Sequence, residues 1–435
     1  MKPVNRRKFI KDVSRIASGA IVGGYLLDSA LFSPEQARAA IVASVYIAKN
    51  GSPADNVAKV IEMRYGGIEK IIGPDDVVVL NPNGQWPRQG GANCACCMGL
   101  IDLILNRPGG FNGEIIFTEC TQFQMDGYWT ATEWELERNG PYNFLDMIAY
   151  YQNAGHANVN GVRIWRNIDD PTNWPVITGP QQGQGWVRLE WLSPGGHLFG
   201  IPYPVIRSPY SDKLIDLRDG VYDNGFTDQP SMKFIKIPNL NNHGTDGNQD
   251  YAGITSATKS FLGISEVINW GTAWPSHNNL HSYDQFGAYA VGQAIAAWMD
   301  AVRKPDFFLT TAEWVGWGSR THADATQART VGLCEDPVSL DYYMSKYVLW
   351  PTYLTQQYFN PDYDISNNNT RLTLDGCNAR GYGTVVESEI AAFIYDYSSP
   401  ATFRFEIDRM IRDFRQGSAT EQQVLDLIER YNEGQ

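Results

Sequence analysis

The chain has 435 residues, of which 43% are hydrophobic, and it carries a formal net charge of −13 at pH 7. That acidic excess repels phosphate backbones and anionic lipid, which argues against nucleic acids and membrane surfaces as partners. The hydrophobic share is ample for a buried core, and the length suits two or three average domains.

Residues 1–39 have the three parts of an export signal. Arg6-Arg7-Lys8 gives a basic start, an apolar run extends from Ile16 to Leu27, and Ala37-Arg38-Ala39 is a small-residue cleavage pattern. The run is shorter than the roughly 20 apolar residues that a membrane span needs. The arginine pair resembles twin-arginine signals, whose pathway carries folded proteins. We therefore expect a periplasmic or extracytoplasmic protein with no stable membrane span after cleavage.

Strand and helix patterns alternate through residues 40–156, the predicted first part of the core. Continuous apolar or β-branched runs indicate buried strands, and apolar residues at helical spacing indicate helices. Gly66 and Gly155 are expected to end two of the helices. The pattern predicts strands over 42–48, 77–80 and 115–117, and helices over 57–65, 98–105 and 144–151.

Residues 157–230 lack a helical period and are rich in Trp, Pro, Gly and Asn, which predicts an insertion of short strands and loops. The alternation returns in residues 231–350, the second part of the core, and residues 351–435 form a C-terminal loop and helical tail. Asp336 and Pro337 suit the N-cap and first position of a helix. The predicted elements here are strands over 232–237 and 307–309, and helices over 285–302, from 334–337 to about 349, and over 403–431.

This alternation predicts the α/β class, with a mostly parallel central sheet flanked by helices and a loop- and strand-rich insertion. Ligands of such sheets bind beyond the carboxyl ends of the strands. Asn81 and Asn83 follow one predicted strand and Glu119 follows the next. We therefore expect these three residues to bind a cofactor or ligand.

Five segments have the order and spacing of a known family. They are Val77–Asn83, Lys236–Leu240, Asn242-His243 with Thr255–Gly263, Ala312–Gly316 and Glu335–Asp341. Over about residues 75–350 the chain resembles the domain of unknown function 362 family, in its exported twin-arginine subgroup. The activity of this family is not established. Some relatives carry a ferredoxin-like iron–sulfur module, but this chain has no C-x-x-C-x-x-C run, and it has Asn93-Cys94-Ala95-Cys96-Cys97 where relatives commonly have Asn-Thr-Asp.

Five of the six cysteines are expected to converge on the carboxyl edge of the sheet. Three precede a predicted helix, one follows a strand and one precedes another helix: Cys94, Cys96, Cys97, Cys120 and Cys334. Thiols at helix N-termini have lowered pKa values, and thiolates bind iron–sulfur clusters, zinc or copper. The hypothesis is an iron–sulfur cluster or transition metal held by these cysteines. Structural disulfides and a redox-active thiol pair remain open, because an exported protein with an even cysteine count is often disulfide-bonded.

A second group of residues suits acid–base chemistry on an anion. His243 and Glu313 can exchange protons, while Lys259 and Arg320 can hold a carboxylate or phosphate. The alternatives are an internal ion pair between Glu313 and Arg320 and a hydrogen-bonded loop histidine at position 243. Asp246 and His322 lie near this group in the sequence, whereas Asp336 is expected to be a helix cap and Asp341 a first-turn acid.

The remaining signals are weaker. His277 and His281 are four residues apart, a metal-ligand spacing on a helix, but Pro275 indicates a loop. Four tryptophans either line a pocket or fill core beneath loops: Trp270, Trp274, Trp314 and Trp317. Gly-x-Gly-x-x-Gly, Walker and Gly-x-Ser-x-Gly motifs are absent, which disfavours nucleotide cofactors and a lipase-type serine.

The sequence therefore predicts an exported metal- or iron–sulfur-binding redox protein, with a small molecule or a redox protein as its partner. One alternative is a metal-free or hydrolytic enzyme acting on a small anionic substrate. Another is a non-catalytic partner or chaperone of an exported redox complex, with structural disulfides.

Overall fold

A computed structural model describes residues 42–121, 126–244, 252–266, 279–321 and 323–398. The predicted export signal and the predicted tail helix over 403–431 lie outside the described residues. Residues 42–392 form one compact unit, to which the following description refers, and residues 393–398 belong to a second unit.

The secondary structure alternates between strands and helices. The helices are α1 (Pro53–Tyr65), α2 (Cys94–Leu105), α3 (Phe144–Asn153), α4 (Tyr283–Ala301), α5 (Pro337–Met344) and α6 (Asn369–Asn378). The strands are β1 (Ala43–Lys49), β2 (Val77–Pro82), β3 (Glu114–Thr121), β4 (Val159–Trp165), β5 (Val176–Ile177), β6 (Gly185–Leu192), β7 (Leu198–Arg207), β8 (Leu214–Asp216), β9 (Gly220–Tyr222), β10 (Met232–Ile237), β11 (Asn239–Asn242), β12 (Ile254–Thr255), β13 (Phe307–Gly316), β14 (Thr326–Cys334) and β15 (Ile390–Asp396).

The main sheet contains the strand order β1-β14-β13-β10-β2-β3-β4, and beside it β11 pairs with β13 and with β12. Strands β13, β10, β2, β3 and β4 are mutually parallel, whereas β14 is antiparallel to both of its neighbours. The central strand β2 is buried along its whole length and β10 at every residue except Lys233, as expected for parallel strands covered by helices on both faces. The predicted α/β fold with a mostly parallel sheet is confirmed.

A second sheet, of order β5-β6-β7-β8-β9, forms the strand-rich insertion. It covers residues 176–222 and is therefore narrower than the predicted 157–230, because β4 pairs in parallel with β3 and belongs to the main sheet. Trp298 of α4 donates a hydrogen bond to the carbonyl of Pro202 in β7 at 3.0 Å. The insertion thus packs against a helix of the core.

Local sequence signals explain most helix boundaries. Ser52 caps α1 by accepting a hydrogen bond from the Asp55 N–H, and Gly66 ends the helix in the left-handed conformation. Asp336 caps α5, as predicted, with Pro337 at the first position. Helix α2 begins at Cys94 rather than near residue 98, because the Asn93 side chain accepts from the Cys96 N–H at 3.1 Å.

Among the described residues, no helix combines the length and apolar character needed to cross a bilayer.

Candidate functional site

A polar cleft lies beyond the carboxyl ends of β2 and β3. It has a volume of about 430 Å³, its open mouth included. Five predicted site residues line it, from both of the predicted non-cysteine groups: Asn83, Glu119, His243, Lys259 and Arg320. The other lining residues are Gln85, Trp86, Gly90, Thr255, Ser260, Leu262 and Gly263.

Two basic side chains line the cleft. Lys259 is 6% exposed and is the first residue of a 3₁₀ turn, Lys259–Gly263. The Arg320 guanidinium lies 4.8 Å from the centre of the Trp86 ring and donates a hydrogen bond to the His243 carbonyl. A cationic cleft in a strongly acidic chain favours an anionic ligand.

Glu119 supplies a buried carboxyl group to the cleft. Its Oε1 accepts from the Gly84 N–H at 3.0 Å and its Oε2 accepts from the Trp129 indole N–H at 3.4 Å. Burial raises the pKa of Glu119 to about 8, and it outweighs these hydrogen bonds and the charge of Lys236, which act in the opposite direction. At neutral pH the group therefore holds a proton that it can donate.

His243 is the second acid–base candidate of the cleft. Its N–H donates to the Gly253 carbonyl at 3.0 Å, and its side chain is 6% exposed. The ring centre lies 6.2 Å from that of His281, whose own N–H donates to the Asn279 side chain at 2.7 Å. His281 lies in the turn before α4, so the predicted loop is confirmed there, and its predicted partner His277 lies outside the described residues.

Asn81, in β2, forms hydrogen bonds to β3, to β10 and to the turn that follows Lys259. Its Nδ2 donates to the Thr118 carbonyl at 2.6 Å and to the Gly263 carbonyl at 3.0 Å. Its Oδ1 accepts from the ammonium group of Lys236 in β10. Lys236 is not among the predicted site residues, although the two lysines within the otherwise apolar run Met232–Ile237 are a visible signal.

Asp341 fixes the segment that leads to Lys259. Its carboxylate accepts from the N–H groups of Ala257 and Thr258, both at 2.8 Å, and from the Thr258 hydroxyl at 2.6 Å. The residue is completely buried. It therefore does more than complement the dipole of α5, the role predicted from the sequence.

Glu313 does not line the cleft. Its Oε1 accepts from the Gln327 side chain at 3.0 Å, and its carboxyl group is near the Cys96 thiol, on the α2 side of the sheet. Burial raises the pKa of Glu313, and its Oε2 is buried with no hydrogen-bond partner among the described residues. The predicted grouping of Glu313 with Lys259, His243 and Arg320 is therefore not formed.

Cys94, Cys96 and Cys97 lie together in the first turn of α2. All three are fully buried. The expected lowering of their pKa values is wrong, because burial outweighs the helix terminus: it raises the pKa of Cys94 to about 12 and that of the other two well above the ordinary value.

The other two predicted ligands lie elsewhere. Cys334 ends β14, and because that strand is antiparallel to its neighbours, Cys334 pairs with Phe308 at the start of β13, at the opposite edge of the sheet. Cys120 follows Glu119 in β3 and so points to the other face, where it packs with Ile116 and Ile164. The predicted convergence of five cysteines on one edge is therefore wrong.

All six cysteines are unpaired thiols in the structure. Within the part of the chain that the structure describes, no group of three or more His, Cys, Asp or Glu side chains is arranged to hold a metal ion.

Of the predicted tryptophans, the two that the structure describes, Trp314 and Trp317, do not line the cleft. Trp317 stacks on Tyr353 with ring centres 4.3 Å apart, and Trp314 contacts the guanidinium of Arg138 at 5.3 Å. Trp270 and Trp274 lie outside the described residues, as do Asp246 and His322. Among the described residues that line the cleft, the aromatic one is Trp86.

Comparison with protein family models and with curated proteins gives no match to this chain. The resemblance to the domain of unknown function 362 family stays a prediction from the sequence.

Proposed function

We propose that the cleft binds a small anionic substrate and that Glu119 and His243 exchange protons with it. The observation that supports this proposal is the meeting of Lys259 and Arg320 with a buried, proton-holding carboxyl group in one polar cleft. The two cations would neutralise a carboxylate or phosphate, since both groups bind such anions through charge-assisted hydrogen bonds.

The chemistry of these two side chains suits general acid–base catalysis. A carboxyl group with a pKa of about 8 is mostly protonated at pH 7, so Glu119 would act as the acid. His243 would act as the base, because a neutral imidazole accepts a proton near neutral pH. A hydrolytic or proton-transfer reaction on a compact anion is the chemistry that this pair supports.

Calorimetric titration with inorganic phosphate and with succinate tests the binding step. We expect saturable binding of at least one of them by the wild type. Lys259→Met and Arg320→Met should each weaken it about tenfold to a hundredfold, because hydrogen bonds to charged groups contribute roughly 1.5–3 kcal/mol. Lys70→Met is the control, since Lys70 is well exposed and pairs only loosely with Glu69 at 3.5 Å. A wild type that binds neither anion would contradict the proposal.

A redox centre is the second candidate, now restricted to the three thiols in the first turn of α2. Their proximity is the observation that favours it. Elemental analysis and a visible spectrum of anaerobically purified protein test it, and protein free of iron, copper and zinc would rule it out.

A further inference from the structure

Lys236 is a basic residue in the middle of the main sheet. It lies in β10, between β13 and β2, and its side chain is completely buried. Its flanking residues Ile235 and Ile237 are equally buried. Burying a lysine side chain is unfavourable unless its N–H donors have hydrogen-bond partners. The groups that contact Lys236 therefore indicate the role of this residue.

Three acceptors surround the Lys236 ammonium group. Its Nζ donates to the Asn81 Oδ1 and, at 2.7 Å, to the Ser260 carbonyl. The third side is the Phe261 ring, whose centre lies 4.8 Å from the Nζ. Two carbonyl-type oxygens and one aromatic face match the three protons of an ammonium group.

These contacts fix the segment that forms one wall of the cleft. Lys236 holds the Ser260 carbonyl, while Asn81 holds the Gly263 carbonyl at 3.0 Å. At the other end of the segment Asp341 binds the N–H groups of residues 257 and 258. Lys259 therefore projects into the cleft from a turn that buried side chains hold on both sides.

Lys236 also acts on the acid of the cleft. Its register partner in β2 is Asn81, and β3, which carries Glu119, is the next strand. The positive charge of Lys236 opposes the effect of burial and lowers the pKa of Glu119. The other titratable and charged groups around Glu119 are Cys120 on its own strand and the lining residues His243, Lys259 and Arg320.

We propose that Lys236 is a positioning residue of the anion cleft, whose ammonium group holds the Lys259 turn in place and acts electrostatically on the carboxyl group of Glu119. This inference rests on the proposed anion-binding function. It assigns two effects to one buried lysine, and the two can be separated by experiment.

The test compares Lys236→Met with Asp341→Asn by calorimetric titration with inorganic phosphate or succinate from pH 6 to 9, with folding checked by circular dichroism. Both variants should bind at least about tenfold more weakly at pH 7, because both release the turn. Only Lys236→Met should raise the midpoint of the pH dependence, by about one pH unit, since only it removes the charge near Glu119. Lys233→Met is the matched control on the same strand, where Lys233 is only partly buried and lies 3.8 Å from Asp306.

Lys236→Gln, which keeps an N–H donor for the Ser260 carbonyl, is made in parallel in case the methionine variant does not fold. A folded variant with unchanged affinity, or one that weakens binding without moving the pH midpoint, would overturn the inference while leaving the proposed function intact. Failure of both variants to fold would also overturn the inference, because Lys236 would then be required for folding and not specifically for positioning the Lys259 turn. If the wild type binds neither anion, the proposed function itself fails.

Discussion

Buried ionisable residues are concentrated beside the cleft. Glu119 and Lys236 are both enclosed, and burial acts on them in opposite directions, raising the pKa of the acid and lowering that of the base. Each protonation state is thus set by the competition between lost hydration and a few nearby partners. Such groups cost stability, which is consistent with a functional role at this edge of the sheet.

The pKa of Glu119 predicts a pH dependence of stability. The folded pKa of about 8 lies above the ordinary 4.5, so between these values the native state holds a proton that the unfolded chain has lost. Raising the pH from 5 to 8 should therefore lower the contribution of Glu119 to the free energy of unfolding, by up to about 1.4 kcal/mol per pH unit. Other buried groups also titrate, so the quantity to measure is the difference between the wild type and Glu119→Gln.

Urea unfolding at pH 5, 6, 7 and 8 provides that measurement. The free energy of unfolding of Glu119→Gln should rise relative to the wild type as the pH increases. Glu137→Gln is the control, because Glu137 is half exposed. If the free energies of unfolding of Glu119→Gln and the wild type changed with pH in parallel, burial would not raise the pKa of Glu119.

At the scale of elements, two glycines bring α4 and α6 into close contact. A Cβ at Gly292 would lie 2.2 Å from the Thr373 carbonyl oxygen, and one at Gly376 would lie 2.1 Å from the Tyr289 carbonyl oxygen. The helices touch backbone to backbone at this crossing, and no side chain fits between them.

Gly292→Ala should therefore destabilise the protein by about 1–3 kcal/mol, although alanine is the better helix former by about 1 kcal/mol. Thermal and urea unfolding would measure the change. Gly225→Ala is the matched control, because a Cβ there meets nothing within 4 Å. A variant at position 292 as stable as the wild type would mean that the helices can separate at no cost.

Sequence patterns predicted most helices and strands, but not the direction of β14 or the first residue of α2. The run at Val77–Leu80 is continuous and apolar, and Met232–Ile237 is apolar apart from two lysines, so the burial of their apolar residues was readable. The direction of β14 could not be predicted, because strand direction depends on pairing across the sheet. The prediction therefore placed Cys334 at the wrong edge. The start of α2 was missed for a local reason, since the cap at Asn93 precedes a cysteine-rich turn without the usual polar first turn.

At the scale of the whole molecule, a buried ion pair links the inserted sheet to the core. Glu266, which follows the Lys259 turn, accepts from Arg188 of β6 at 2.9 Å and 3.1 Å and from the Asn167 N–H at 2.8 Å. The two charged side chains are only 1% and 13% exposed. Their contact joins the two sheets close to the segment that forms the cleft.

Arg188→Met should destabilise the fold by about 3 kcal/mol, because it leaves the buried Glu266 carboxylate without its charged partner. Equilibrium unfolding would measure this loss. The control is Arg207→Met, since Arg207 and its partner Asp212 are 45% and 85% exposed and such pairs contribute little. Equal effects of the two substitutions would contradict the role of the buried pair.

Part of the candidate site could be predicted from the sequence, because the parallel sheet determines which residues share an edge. Residues at the carboxyl ends of β2 and β3 had to share one edge once the strands were parallel, so the placement of Asn83 and Glu119 followed from topology. The exclusion of Glu313 and the role of Lys236 depended on which face each side chain points to, and no pattern of residue types specifies that.

The walls of the cleft come from segments far apart in the chain, from Asn83 to Arg320. These segments meet only when the sheet is folded, so occupancy is thermodynamically linked to the native state. A ligand held there stabilises the molecule by RT ln(1 + [L]/Kd), and every partial opening of the sheet edge releases it. The increase in the free energy of unfolding at a saturating anion concentration therefore also reports whether the cleft is completely formed, without any assay of turnover.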